Sequence, residues 1–98
     1  MTLNELINST ELVLVDFFAE WCGPCQTMKP ILHTVKQAVG EQAKIVKVDV
    51  DKYSDVAAEY QIRSMPTLIL FKNGTPVWRQ SGVVSAQNLV QIITQNIS

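Results

Sequence analysis

Two cysteines and one histidine are the only thiol and imidazole groups in this chain, and that scarcity excludes several kinds of protein. A structural zinc site ordinarily takes four such ligands, so His33 and a single cysteine pair fall short within one chain. Only a site shared between subunits escapes that count. Two closely spaced cysteines in a reducing compartment point to catalysis or metal binding rather than to a structural disulfide. Neither sign of charge is in excess: eight Lys or Arg against nine Asp or Glu give a net charge of -1. That balance offers no overall basic footprint for nucleic acid, although local basic patches are compatible with it. No apolar run approaches the roughly 20 residues that cross a bilayer. The opening Met1-Thr2-Leu3-Asn4-Glu5 lacks the positive start of a secretory signal, and the apolar residues after it are interrupted by Asn8, Glu11 and Asp16. Cytoplasmic residence is the default expectation.

What is present reads as one folded domain over residues 1–98, with 47% hydrophobic and 17% charged residues. Thr2 and Glu5 form a capping-box pattern ahead of Leu3, Leu6 and Ile7, which predicts a short helix ending near Asn8-Ser9-Thr10. Leu12 to Phe18 is apolar around one charge, the pattern of a strand covered on both faces. Met28, Ile31, Leu32, Val35, Ala38 and Val39 recur at helical spacing up to Gly40, and Pro30 is expected to interrupt and bend that helix. A second strand is expected over 45–50, a short helix over 54–60 and a third strand over 67–72. Asn73-Gly74 turns the chain into a fourth, antiparallel strand over 76–80. Ser85 then caps a final helix with Leu89, Ile92, Ile93 and Ile97 on one stripe. This order argues an α/β sandwich around a mixed sheet.

Both cysteines fall in Trp21-Cys22-Gly23-Pro24-Cys25, between the first strand and the long helix. Two thiols separated by Gly-Pro can close a small disulfide ring. With Cys22 at the N-cap, its sulfur can accept the N–H of Cys25, and Pro24 offers no competing donor. The amide dipoles of a helix start favour a thiolate at Cys22. An accessible Cys22 thiolate would attack a partner's disulfide, and Cys25 would attack the resulting mixed disulfide. Running in reverse, the same pair oxidises its partner. A pair of inert buried thiols is the bland alternative. Asp16 interrupts the buried run: either it faces solvent at a strand end, or it is a buried carboxylate whose raised pKa suits proton exchange. Lys47, in the neighbouring strand pattern, could compensate its charge.

Together with Val15-Asp16-Phe17-Phe18-Ala19-Glu20 before it and Met65-Pro66-Thr67 after it, the cysteine motif closely resembles the thioredoxin family over roughly residues 12–97. The resemblance implies a three-layer sandwich with a central mixed four-stranded sheet. It also implies reduction of protein disulfides, with no cofactor bound. Electrons would come from a partner thioredoxin reductase, a flavin enzyme using NADPH, or from ferredoxin-linked chemistry. By the same match Cys22 attacks, Cys25 resolves, Asp16 assists deprotonation of Cys25, and Lys47 is the lysine beside that acid. Pro30 matches the proline that bends the active-site helix. Pro66 matches a cis proline facing the disulfide, and Met65 offers backbone hydrogen bonds to an extended substrate. Trp21, Gly23, Pro24, Met65, Pro66, Gly82 and Val83 would form an apolar docking surface.

Three departures from the family pattern stand out. Phe18 replaces a common tryptophan, Gln26 replaces a common basic residue, and the usual first strand before the short helix is absent. The strand over 45–50 is thereby expected near a sheet edge. A monomer is expected, with edge-to-edge dimerisation as the variant that Lys44, Lys47, Asp49 and Asp51 would discourage. The competing functional readings are a net oxidant or isomerase, and a binding module switched by its redox pair.

Overall fold

The computed structural model describes residues 2–97; Met1 and Ser98, the ends of the expected single domain, lie outside the described residues. Thr2 caps helix α1 (Leu3–Ile7), and the expected capping box forms, with each residue's side chain accepting from the other's backbone N–H. Strand β1 (Leu12–Phe18) is buried at every position but its last. It pairs in parallel with β2 (Lys44–Asp49) and antiparallel with β3 (Thr67–Lys72). Adding β4 (Thr75–Ser81) antiparallel to β3 gives the order β2-β1-β3-β4. The remaining helices are α2 (Gly23–Val39), α3 (Ser54–Glu59) and α4 (Ala86–Gln95).

Side chains alternate across a strand, so the two central strands feed two cores at once. On one face Leu12, Leu14, Leu68 and Leu70 meet Met28 and Leu32 of α2 and Leu89 and Ile93 of α4. On the other, Val13, Val15, Phe17, Ile69 and Phe71 cluster with Ile7 of α1, while Val56 and Tyr60 pack against them. Tyr60 lies between two rings, with centroids 6.0 Å from Phe17 and 5.5 Å from Phe71. The architecture is the expected three-layer α/β sandwich with a mixed four-stranded sheet.

Several local expectations change. Helix α2 runs unbroken through Pro30; the proline removes one bond, to the carbonyl of Gln26, and the burial of Met28, Leu32 and Val35 on either side holds the helix together. After it comes an unexpected 3-10 turn, Gly40–Gln42, tied by the Lys36 ammonium, which donates to the carbonyls of Gly40 (2.8 Å) and Ala43 (3.2 Å). Strand β2 starts at Lys44 rather than Ile45 and ends at Asp49, although Val50 N–H still reaches the Phe18 carbonyl at 2.9 Å. α3 stops at Glu59, one residue short of the expected end. β4 is one residue longer at each end than expected, with a register shift opposite Leu70 and Phe71. Pro76, lacking an N–H, is tolerated there because β4 is an edge strand. Helix α4 ends at Gln95, so Ile97 lies outside its stripe and is exposed, as is Ala38 on α2.

Asn73 (φ 51°) and Gly74 (φ 84°) both occupy the left-handed region, as a two-residue turn of right-twisted strands requires. A Cβ at Gly74 would also collide with the Asn8 side chain. Gly74→Ala is therefore expected to lower unfolding free energy by roughly 1–3 kcal/mol in urea titrations. Gly23→Ala, where a Cβ meets nothing, should stay within about 0.5 kcal/mol of wild type.

Candidate active site

Strand β1 ends where its backbone emerges from the sheet, and the short link 19–22 carries the chain directly into α2. Ala19 is fully buried in this link and clusters with Cys22 and Cys25, against Phe18, Val50 and Met65. Cys22 is the N-cap of α2, in extended conformation (φ -88°, ψ 115°), and its sulfur accepts the Cys25 N–H at 3.2 Å. The two cysteines form a disulfide, with Cα atoms 5.3 Å apart. Only 4% of Cys22 and 2% of Cys25 is exposed, so access to the attacking sulfur is narrower in the disulfide form than the sequence suggested. A partner must approach along the strip that Trp21, Gly23 and Pro24 leave open, all three being exposed.

Opposite the disulfide, the Met65–Pro66 peptide bond is cis. The Met65 carbonyl oxygen lies 3.5 Å from Cys22 Sγ, within reach of a thiol S–H in the reduced pair. Two contacts fix this loop from behind: Gly82 N–H donates to the Pro66 carbonyl at 2.8 Å, and Thr67 Oγ1 donates to the Ser64 carbonyl at 2.7 Å. Pro66, expected on the docking surface, is buried instead, because it leads directly into the wholly interior start of β3. Met65 and Gly82 are half-buried, and Val83 is exposed. Gly82 has φ 92°, and a Cβ there would point into open space. Its backbone is thus accessible from outside, while its conformation disfavours any other residue.

Trp21 projects from the surface at 70% exposure, and its indole N–H donates to Asp51 Oδ2 at 2.9 Å. Asp51 is held in turn by the turn after β2, where buried Asp49 Oδ1 accepts the N–H of Asp51 (2.9 Å) and of Lys52 (3.4 Å). Sequence reading treated both aspartates only as edge charges. The signal for their role was the Asp-x-Asp spacing after a strand, typical of an aspartate that bonds the backbone two residues on. Gln26 reaches back to the Glu20 carbonyl at 3.4 Å, so the residue replacing a common cation lies against the loop that precedes the cysteines.

Behind the disulfide, Asp16 is buried in mid-strand, and its Oδ1 has no hydrogen-bond partner. This settles its position in favour of the buried alternative. Burial raises its pKa from 3.8 to about 6, and the nearby Lys47 ammonium partly opposes the shift. The two residues are register partners across β1 and β2, but Lys47 is exposed and the carboxylate stays under-solvated. Asp16, Cys25 and Lys47 line one cavity of about 200 Å³, shared with Phe18, Glu20 and Lys29. Asp16 and Cys25 therefore border the same space behind the disulfide. Pro30 and His33 are exposed on α2. Among the described residues, no three or more His, Cys, Asp or Glu side chains converge as a metal site.

A carboxylate whose pKa is raised in the folded state weakens folding wherever it is ionised. Between about pH 4 and about pH 6 the unfolded chain has lost the Asp16 proton while the native chain holds it, so stability falls as pH rises through that window. Asp16→Asn should therefore be more stable than wild type by up to about 3 kcal/mol at about pH 8 and by little at about pH 3.5. Paired urea titrations at the two pH values measure this difference.

The family model Thioredoxin matches residues 2–95. A thioredoxin-like protein of Synechocystis is 54% identical over 88% of this chain and 82% of its own length. The chloroplastic Thioredoxin Y of Oryza sativa is 47% identical over 94% of this chain, which spans 55% of that relative's length. Among solved structures, a mutant thioredoxin from Halobacterium salinarum superposes with a TM-score of 0.89 at 34% identity, covering 98% of this chain and 83% of the other. With the Cys22–Cys25 disulfide on an N-cap and these similarities across nearly the whole chain, the protein belongs to the thioredoxin family and is a thiol-disulfide oxidoreductase.

Proposed function

We propose that this chain works in the reducing direction, as a protein-disulfide reductase. In the reduced protein the Cys22 thiolate attacks one sulfur of a substrate disulfide; the substrate's other sulfur leaves as a thiolate and takes a proton. Cys25 then loses its proton to Asp16 and attacks Cys22 Sγ, which expels the second substrate sulfur as a thiolate. Two electrons have moved from the protein's sulfurs to the substrate, and Cys22 and Cys25 are joined. The observation that carries this reading is the shared cavity: the resolving thiol and an under-solvated carboxylate with a pKa of about 6 border the same space, behind a sulfur fixed at a helix start.

Substrate docking uses Trp21, Gly23, Pro24, Met65, Gly82 and Val83, with Pro66 as the buried support beneath them. An extended substrate segment can pair with the Met65 backbone, so the attack needs little side-chain recognition. Lys47 tunes Asp16 from the cavity wall, and Pro30 removes one bond from α2 near its active end. Thioredoxins bind no cofactor; the electrons are restored from outside by a flavin-containing, NADPH-dependent reductase. Cytoplasmic residence as a monomer suits a dithiol that must be kept reduced.

A coupled assay with such a reductase and an insulin-type disulfide substrate tests the direction. Continuous turnover is expected; stable binding without turnover would reject the reductase reading. Cys22→Ser should abolish turnover. Cys25→Ser should accumulate a mixed disulfide, and mass mapping should find it on Cys22; attachment elsewhere would refute the assigned order. In single-turnover measurements Asp16→Asn should slow the resolving step by about 100-fold and remove its rise through about pH 6, while leaving the first attack nearly unchanged.

A further inference from the structure

Two alternate residues of strand β4, Arg79 and Ser81, grip the segment that leads into the cis Met65–Pro66 bond. Arg79 stands opposite Ile69 and Ser81 opposite Thr67 in the β3–β4 register, so both side chains leave the same face of the sheet. The Arg79 guanidinium donates through one nitrogen to the carbonyl of Tyr60, the C-cap of α3, and through the other to the Gln61 carbonyl at 2.9 Å. A planar fork suits two successive carbonyls at a helix end. Gln61 occupies the place after the C-cap that glycine ordinarily takes, and its φ of 54° holds a residue with a Cβ in the left-handed region. Ser81 Oγ lies 2.9 Å from Thr67 Oγ1, whose single proton already goes to the Ser64 carbonyl, so Ser81 is the donor of that pair. Between these two holds, neither the N–H nor the carbonyl of Met65 has a backbone partner among the described residues.

We propose that Arg79 and Ser81 are positioning residues for disulfide exchange with extended protein substrates. From β4 they hold residues 61–66 in one backbone conformation, so the Met65 N–H and carbonyl are already aimed when a substrate segment arrives. The inference rests on the reading that such a segment pairs with the Met65 backbone. A preformed segment binds more tightly than one that must be ordered on contact. Arg79 bonds only to the Tyr60 and Gln61 carbonyls and Ser81 Oγ to Thr67, so the cysteines and Asp16 keep their surroundings when either side chain is removed. Both residues are exposed, and truncating them opens no cavity in either core. An arginine on an outer strand is by itself an ordinary guard against aggregation. Two bonds to a left-handed turn, beside the chain from Ser81 through Thr67 to Ser64, give this one a second task. Substrates that use the Met65 backbone therefore depend on Arg79, whereas a small disulfide that needs only the Cys22 sulfur does not.

The test follows the reduced full-length protein by stopped-flow absorbance with two disulfides that release the same chromophore, thionitrobenzoate. One is a blocked peptide of about eight residues whose central cysteine is joined to thionitrobenzoate; the other is dithiobis(nitrobenzoate), which has no peptide backbone. In both, the Cys22 thiolate bonds to one sulfur, and thionitrobenzoate leaves with the electron pair of the broken S–S bond. Arg79→Ala should raise the half-saturating peptide concentration by about 5-fold or more and Ser81→Ala by about 2-fold, while the limiting rate and the rate on the small disulfide stay within about 1.5-fold of wild type. A half-saturating concentration that does not move in Arg79→Ala overturns the proposal, and one that does not move in Ser81→Ala overturns it for that residue. Equal slowing on both disulfides also overturns it, since that is the mark of a general structural loss. The same peptide N-methylated on both sides of its cysteine separates the proposal from the reading beneath it. Wild type should bind the methylated peptide more weakly; if it binds both peptides alike, pairing with Met65 is wrong and the proposal falls with it, whereas a wild-type preference that Arg79→Ala fully retains overturns the positioning role alone.

Discussion

The structure depends on β1 being bonded along both edges and covered on both faces. A strand so enclosed has no freedom to slip, since a one-residue shift would exchange every side chain between the two cores. Its last residues therefore deliver the cysteine loop to a fixed place, and Asp16 is carried into the interior whether or not a partner awaits it. The unbonded Oδ1 is the cost of that position. In the proposed mechanism the same cost makes the group useful: a carboxylate that resists ionisation until about pH 6 can take and return a proton under conditions in which ordinary aspartates stay charged.

The second constraint is the start of α2. One amide, that of Cys25, points at one sulfur, that of Cys22, and the same helix start places the other sulfur a turn deeper. Attack and resolution are thus divided between two chemically similar groups by position alone. The cis Met65–Pro66 loop closes the other side, and its anchoring by Gly82 and Thr67 explains why residues far apart in sequence converge on one site.

Much of this was legible in the residues. The N-cap geometry at Cys22, the double burial of β1 and the turn at Asn73-Gly74 follow from local patterns, and local patterns are what a sequence displays; the edge position of β2 followed only from the departure from the family pattern. Asp16 was legible only as a dilemma, because the apolar run around it shows that the strand is covered without showing whether a neighbour reaches the carboxylate. The Asp-x-Asp spacing signals the turn built by Asp49, but the bond from Trp21 to Asp51 spans 30 residues, so that partner was not legible locally. Pro66 was misread as surface because its neighbour Met65 does face the sulfur, while the next residue already belongs to the interior. The 3-10 turn after Gly40 rests on a lysine reaching forward to two carbonyls, which periodicity does not encode.

The central claim is that burial holds the Asp16 carboxyl protonated well above its ordinary range, beside the resolving cysteine. The most direct measurement is the side-chain carboxyl carbon shift of Asp16 in the oxidised protein, followed by NMR against pH. A midpoint near about 6 is the result predicted here; a midpoint near 3.8, the value of an unburied aspartate, would contradict the account.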